Sequence, residues 1–283
     1  MKRYLVAEPH GMCGGVRRAL QKLEELGGGI FVLNEIVHNN FIVSELRSRG
    51  VRFVKSLEEI PPGSTVVFSA HGVSLAVEEE AARRQLRVID ASCPLVKSVH
   101  RAAAQAVAAG ALPILIGHAR HPEVEGILGQ AAPGVIKLVE SAADLAGLPE
   151  VAQDRPVRLI SQTTLDGEFV ASLTALLKQK YPQLEDCGGI CFATRDRQKA
   201  VRELAQQVEL MIVLGSPGSS NTNRLGEVAA AFAPVLRLDK PEELDPARLA
   251  GLQRIGVTAG ASVPDILTEK LCSILAENGF QNG

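Results

Sequence analysis

The sequence contains no tryptophan, and aromatic residues fill only 4% of its 283 positions. That is too few for the stacked-aromatic platforms that grip single-stranded nucleic acid. It also lacks a charge imbalance: 30 Lys and Arg stand against 32 Asp and Glu, a net charge of -2. No bulk field therefore gathers a polyanion, and an anionic ligand has to be held locally. Nowhere does an apolar run reach the roughly 18–20 residues of a membrane span. The opening stretch from Met1 to His10 has no long apolar segment of the signal-peptide kind. The expectation is a cytoplasmic protein with neither a nucleic-acid nor a membrane partner. Cysteine is sparse as well, at five. In a reducing compartment these are not structural disulfides, which leaves metal binding, catalysis or burial.

What the chain does have is an alternation of short apolar runs with longer amphipathic stretches. Runs such as Thr65–Phe68, Leu112–Ile116, Val157–Ile160, Leu210–Leu214 and Ile255–Thr258 read as buried parallel strands. Stretches such as Leu95–Ala109, Arg195–Val208 and Leu225–Phe232 read as helices, so the class is α/β with parallel sheets. Polar clusters follow five of the runs: Ser69-Ala70-His71-Gly72, Gly117 to His121, Ser161 to Thr164, Gly215 to Asn221, and Ala259 to Ser262. Ligands of parallel α/β sheets bind at the carboxyl ends of strands, and these clusters are placed to share a site.

Three of the five cysteines sit at or just ahead of predicted helix starts. Cys13 precedes Gly14-Gly15 and a helical pattern, Cys93 precedes a Pro suited to the first helical position, and Cys191 lies three residues before Thr194. The positive end of a helix dipole favours the thiolate, the form that binds iron or zinc. Three soft thiolates suit an iron–sulfur cluster that keeps one iron open to a substrate oxygen. Burial as small apolar side chains is the competing account. Cys187 reads as incidental and Cys272 as core.

His38, His71 and His121 stand in motif-like settings and can donate hydrogen bonds to an anion. Ser219, Ser220 and Asn221 open one helix, and Ser262 precedes another start, resembling a capping box. Helix N-termini with hydroxyls bind phosphate well, and plain capping explains the same residues. His100 falls mid-helix and reads as an ordinary surface or interface residue; His10 and His118 are ambiguous. Glu123 and the strand-end Thr163 are candidates for relaying a proton, although the helix dipole explains a first-turn Glu equally well.

The motifs Gly11-Met12-Cys13-Gly14-Gly15, Val37-His38-Asn39, Ser69-Ala70-His71-Gly72, Ala91-Ser92-Cys93-Pro94, His121-Pro122-Glu123, Ser161-Gln162-Thr163-Thr164, Cys191-Phe192-Ala193-Thr194, Gly218-Ser219-Ser220-Asn221 and Ala259-Gly260-Ala261-Ser262 run in order along the chain. In them the sequence resembles the family of 4-hydroxy-3-methylbut-2-enyl diphosphate reductases of the non-mevalonate isoprenoid pathway. The resemblance implies a trefoil of three α/β units with parallel sheets around a central iron–sulfur site, divided as 14–94, 95–190, and 1–13 with 191–283. It implies a [4Fe-4S] cluster on Cys13, Cys93 and Cys191, with one iron not ligated by protein. It further implies an allylic diphosphate held by His38, His71, His121, Thr163, Ser219, Ser220, Asn221 and Ser262. Glu123 is then the proton donor, working with Thr163, and the electrons come from a ferredoxin or flavodoxin. Met12 and Gly14 depart from the aromatic and the Ala common in the family, but remove no functional group. Three alternatives remain open: a non-redox dehydratase resembling quinolinate synthase, an iron–sulfur sensor or carrier needing Cys187, and a zinc-held phosphate binder.

Overall fold

The structure is a computed structural model that describes residues 1–26 and 29–283. In chain order the strands and helices are β1 (Arg3–Val6), α1 (Gly14–Glu24), β2 (Phe31–Leu33), α2 (Asn40–Ser48), β3 (Arg52–Val54), β4 (Thr65–Phe68), α3 (Leu75–Arg83) and β5 (Arg87–Asp90). They continue with α4 (Pro94–Ala108), β6 (Leu112–Ile116), α5 (Pro122–Leu128), β7 (Lys137–Val139), β8 (Val157–Ser161), α6 (Gly167–Lys180) and β9 (Leu184–Asp186). The last third holds α7 (Phe192–Ala205), β10 (Leu210–Leu214), α8 (Ser220–Ala230), β11 (Val235–Leu238), β12 (Arg254–Ala259), α9 (Asp265–Glu277) and β13 (Gln281–Asn282).

The described chain divides into two compact units. One comprises Met1–Arg17, Val37–Glu45 and Phe192–Gly283. It holds a parallel sheet of order β11-β10-β12-β1-β13. Ile212, Leu214, Ile255 and Val257 face one side of that sheet and pack on Leu267, Leu271 and Leu275 of α9. Met211 and Val213 face the other side and pack on Val201 of α7 and Leu225 of α8. A strand covered on both faces has to be apolar at every position, which is why the run Leu210–Leu214 shows no alternation.

The other unit comprises Arg18–Ile36 and Leu46–Cys191. It holds two four-stranded parallel sheets, β3-β2-β4-β5 and β7-β6-β8-β9. Phe31, Leu33, Val66 and Phe68 build the core of the first on Ala81 of α3. Leu112, Ile114, Ile116 and Leu159 build that of the second on Leu173 and Leu177 of α6.

The three sheets repeat one winding. In the four-stranded sheets the first strand in sequence pairs with the second on one side and the third on the other, and a fourth joins the third; β10, β11 and β12 repeat this arrangement as first, second and third. In the five-stranded sheet the N-terminal β1 takes the fourth place. The crevice of such a winding lies between the first and third strands, where the strand order reverses.

The helices expected over 95–109, 195–208 and 225–232 start earlier, at Pro94, Phe192 and Ser220. Apolar periodicity marks only the buried stripe of a helix; α8 opens instead on a polar turn capped by Ser219, α4 on a proline, and α7 on the exposed Phe192. Among the described residues no helix is long and apolar enough to cross a membrane.

Candidate active site

Every candidate side chain follows a particular strand of the repeated winding. After the first strands come His38 (β2), His121 and Glu123 (β6), and Ser219 to Asn221 (β10). After the third strands come His71 (β4), Thr163 (β8) and Ser262 (β12). After the fourth strands come the cysteines: Cys13 (β1), Cys93 (β5) and Cys191 (β9). Each cysteine stands immediately before the helix that carries the chain on to the next sheet: α1, α4 or α7.

The cysteines are also anchored alike. The backbone N–H of Cys93 donates to Ala70 O at 3.0 Å, that of Cys191 to Thr163 O at 3.0 Å, and that of Cys13 to Ala261 O at 2.9 Å. Ala70, Thr163 and Ala261 each lie two residues past the end of the third strand in the sheet concerned. One hydrogen bond beyond the ladder thus fixes each cysteine to the loop that carries a substrate candidate. The three are half-buried and not disulfide-bonded. Thiols at helix starts are suitable donors for iron, which takes them as thiolates, so the donor chemistry fits an iron–sulfur group. No three His, Cys, Asp or Glu side chains among the described residues gather as ligands of a single ion.

Within the two-sheet unit, Glu123 is 1% exposed. Its carboxylate accepts the Thr163 N–H at 2.7 Å and the Thr163 hydroxyl at 2.8 Å. Burial pushes its pKa up to about 7, against the lowering effect of those two bonds. It is therefore a carboxylic acid that changes protonation near neutral pH, which a solvated first-turn Glu would not do. His121 caps α5, its Nδ1 accepting the Glu123 N–H at 3.2 Å. In a neutral ring the proton then sits on Nε2. The His71 and His121 rings lie edge to face with centroids 5.8 Å apart. Thr163 therefore links two residues: the acid, through its side chain and N–H, and Cys191, through its carbonyl.

Within the other unit, the Ser262 hydroxyl donates to His38 O at 3.1 Å. The alternative reading of Ser262 as a helix cap is not what the structure shows. The residue before α9 is Pro264, with no side-chain cap, and the serine lies two residues further back. Ser219 does cap α8, accepting from Thr222 N–H at 3.3 Å. Asn221 is 5% exposed; its Oδ1 accepts the Ala261 N–H at 2.9 Å, while its Nδ2 is buried without a partner. A buried amide donor with nothing to donate to suits an anionic oxygen supplied by a ligand. Arg197 of α7 is 5% exposed and donates to Gly11 O at 2.7 and 3.2 Å and to Ala193 O at 2.9 Å. It ties α7 to the loop that leads into Cys13. Sequence reasoning missed Arg197 because it sits in the charged run Thr194 to Lys199, where nothing distinguishes it from its solvated neighbours.

A family model described as LytB protein matches residues 4–276. The chain belongs to the LytB family. Among curated relatives of this LytB chain is the 4-hydroxy-3-methylbut-2-enyl diphosphate reductase of Actinobacillus succinogenes, 47% identical over 286 residues, covering 98% of this chain and 91% of that one. The Neisseria meningitidis serogroup C protein of the same name is 44% identical, with 99% and 89% covered. The solved E-1-hydroxy-2-methyl-but-2-enyl-4-diphosphate reductase from Plasmodium falciparum is 32% identical with a TM-score of 0.94, covering 99% of this chain and 91% of that one.

Proposed function

We infer that this chain reductively removes the hydroxyl group of 4-hydroxy-3-methylbut-2-enyl diphosphate, releasing water and giving isopentenyl and dimethylallyl diphosphates. Family membership supports this reading. The named relatives are reductases, which favours it over a non-redox dehydratase. Overall, two electrons and two protons enter, the C–O bond breaks, and the allyl fragment takes a proton at one end or the other.

Cys13, Cys93 and Cys191 would hold a [4Fe-4S] cluster; when bound, it supplies single electrons and a Lewis-acidic iron that no cysteine ligates. The chain's own residues do the rest. His38, His71, His121, Ser219, Ser220, Asn221 and Ser262 hold and orient the diphosphate. Hydrogen-bond donors and a helix N-terminus serve for this without a Lys/Arg cluster, because the diphosphate is desolvated among them. Glu123 carries the proton for the departing hydroxyl, and Thr163 aims its carboxyl. A ferredoxin or flavodoxin donor and a cytoplasmic location belong to the same reading.

The observation that carries the mechanism is the buried Glu123 carboxyl, poised near neutrality and bound twice by Thr163. Glu123→Gln keeps the shape but cannot give up a proton. Turnover with chemically reduced viologen as electron source should fall at least about a hundredfold, with iron and sulfide content unchanged. Near-normal turnover in that variant removes Glu123 from the mechanism.

A further inference from the structure

His100 was expected to be an ordinary surface or interface residue, but its ring is wedged between two site-bearing backbones. It lies on α4 seven residues past Cys93, two turns along and so on the same face. A Cβ placed on Gly72 would stand 2.7 Å from His100 Cε1 and 3.0 Å from Nε2. One on Gly126 would stand 3.1 and 3.2 Å from those atoms and 3.5 Å from the Gly72 carbonyl carbon. Gly72 follows His71 and has φ +74°, a conformation a side chain would strain. Gly126 lies on α5 one turn past Glu123. The edge of the imidazole therefore fills the gap that two missing side chains leave. Further along, the same two backbones are stitched together. Leu75 N–H donates to Gly129 O at 3.2 Å, and the Gln130 side chain reaches Val73 O at 3.2 Å and Gly126 O at 2.9 Å.

The Nε2 of His100 is buried with no hydrogen-bond partner. Such an atom is a net cost to folding, one that an apolar side chain in the same space would not carry. Burial holds the ring's pKa down at about 4, against a nearby Asp90 and in concert with Lys97, so the ring is neutral in working conditions. Its contribution is then its shape.

We propose that His100 is a positioning residue, whose flat ring sets the spacing between the His71 loop and the helix bearing His121 and Glu123. This rests on the reading of those three residues as diphosphate ligands and proton donor.

The test is a reciprocal rescue. Gly126→Ala pushes a methyl into the ring, and His100→Ala empties the gap. Each should lower kcat about tenfold and weaken binding of inorganic diphosphate, measured calorimetrically on the cluster-loaded protein, several-fold. In the double variant the methyl enters the vacated space, and most of both losses should return. His100→Leu, which deletes the orphan nitrogen, should unfold at no lower temperature than the wild type yet turn over at about a tenth of its rate. Single variants that bind and react normally, a double variant no better than the product of the singles, or a fully active His100→Leu enzyme would each overturn the spacing role. A wild-type protein that binds no diphosphate overturns the reading of the site itself, and this proposal with it.

Discussion

Thr163→Val isolates one of the two bonds that tune the proton donor. Valine keeps the shape and the backbone N–H of Thr163, and so preserves the 2.7 Å bond to Glu123 and the carbonyl contact to Cys191, while removing the 2.8 Å hydroxyl bond. A hydrogen bond contributes about 1.5–3 kcal/mol to a charged acceptor and about 0.5–1.5 to a neutral one, so the carboxylate loses about 1–1.5 kcal/mol more than the acid. At 1.36 kcal/mol per unit that raises the Glu123 pKa by about one, starting from about 7. Because the acid form reacts, the alkaline limb of kcat/KM moves to higher pH, and the ratio of the rate at pH 8 to that at pH 6 rises about fivefold. The assay is kcat/KM across that range with a pH-independent reductant, alongside iron analysis to confirm an unchanged centre. A limb that stays in place or moves toward acid refutes the assignment of that limb to Glu123 and of its tuning to Thr163.

Arg197→Met strips the donors from Gly11 and Ala193. Destabilisation by about 2–4 kcal/mol in urea titration is expected, together with less iron per chain, because the loop leading into Cys13 loosens. Cys187→Ser should leave iron, sulfide and turnover unchanged, since Cys187 is exposed and sits beside Arg158; loss of iron would favour a centre with four protein ligands.

The central strands were readable because burial on both faces forces unbroken apolar runs. The edge strands were not. Leu184–Asp186 has a single buried residue, and Arg52–Val54 has one fully buried position, so neither carries a period. For the same reason the threefold repetition of the winding left no visible sequence repeat. β1 and β12 pair across most of the chain, which no local pattern announces. The cysteines were readable from their places before helices. Their common anchor was not, since Ala70, Thr163 and Ala261 contribute only backbone carbonyls and a carbonyl has no residue signature. For Glu123 the sequence leaves dipole partner and acid balanced, and it carries no sign of the residue 40 positions away whose N–H and hydroxyl bond both of its carboxylate oxygens.

Two titratable groups of the two-sheet unit, the buried Glu123 and the half-buried His100, bias stability in opposite directions, and each masks the other. Glu123 has its pKa raised from 4.5 to about 7. The folded state therefore binds the extra proton, and the stability this supplies is present below pH 4.5 and lost as pH rises toward 7. His100 has its pKa lowered from 6.5 to about 4. Here the unfolded state binds the extra proton, and stability is present above pH 6.5 and lost as pH falls toward 4. Each slope is about 1.36 kcal/mol per pH unit with the opposite sign, so between pH 4.5 and 6.5 the two cancel and the wild type should be nearly flat in this respect. Glu123→Gln removes one slope and unmasks the other, so that variant should gain roughly 2–3 kcal/mol from about pH 4.5 to 6.5. His100→Leu should lose a similar amount over the same interval. Urea titrations at three pH values in that window decide the matter. Parallel curves for the wild type and both variants would mean that neither group is held at the protonation its burial demands, and the argument for Glu123 as a neutral-pH acid would fall with them.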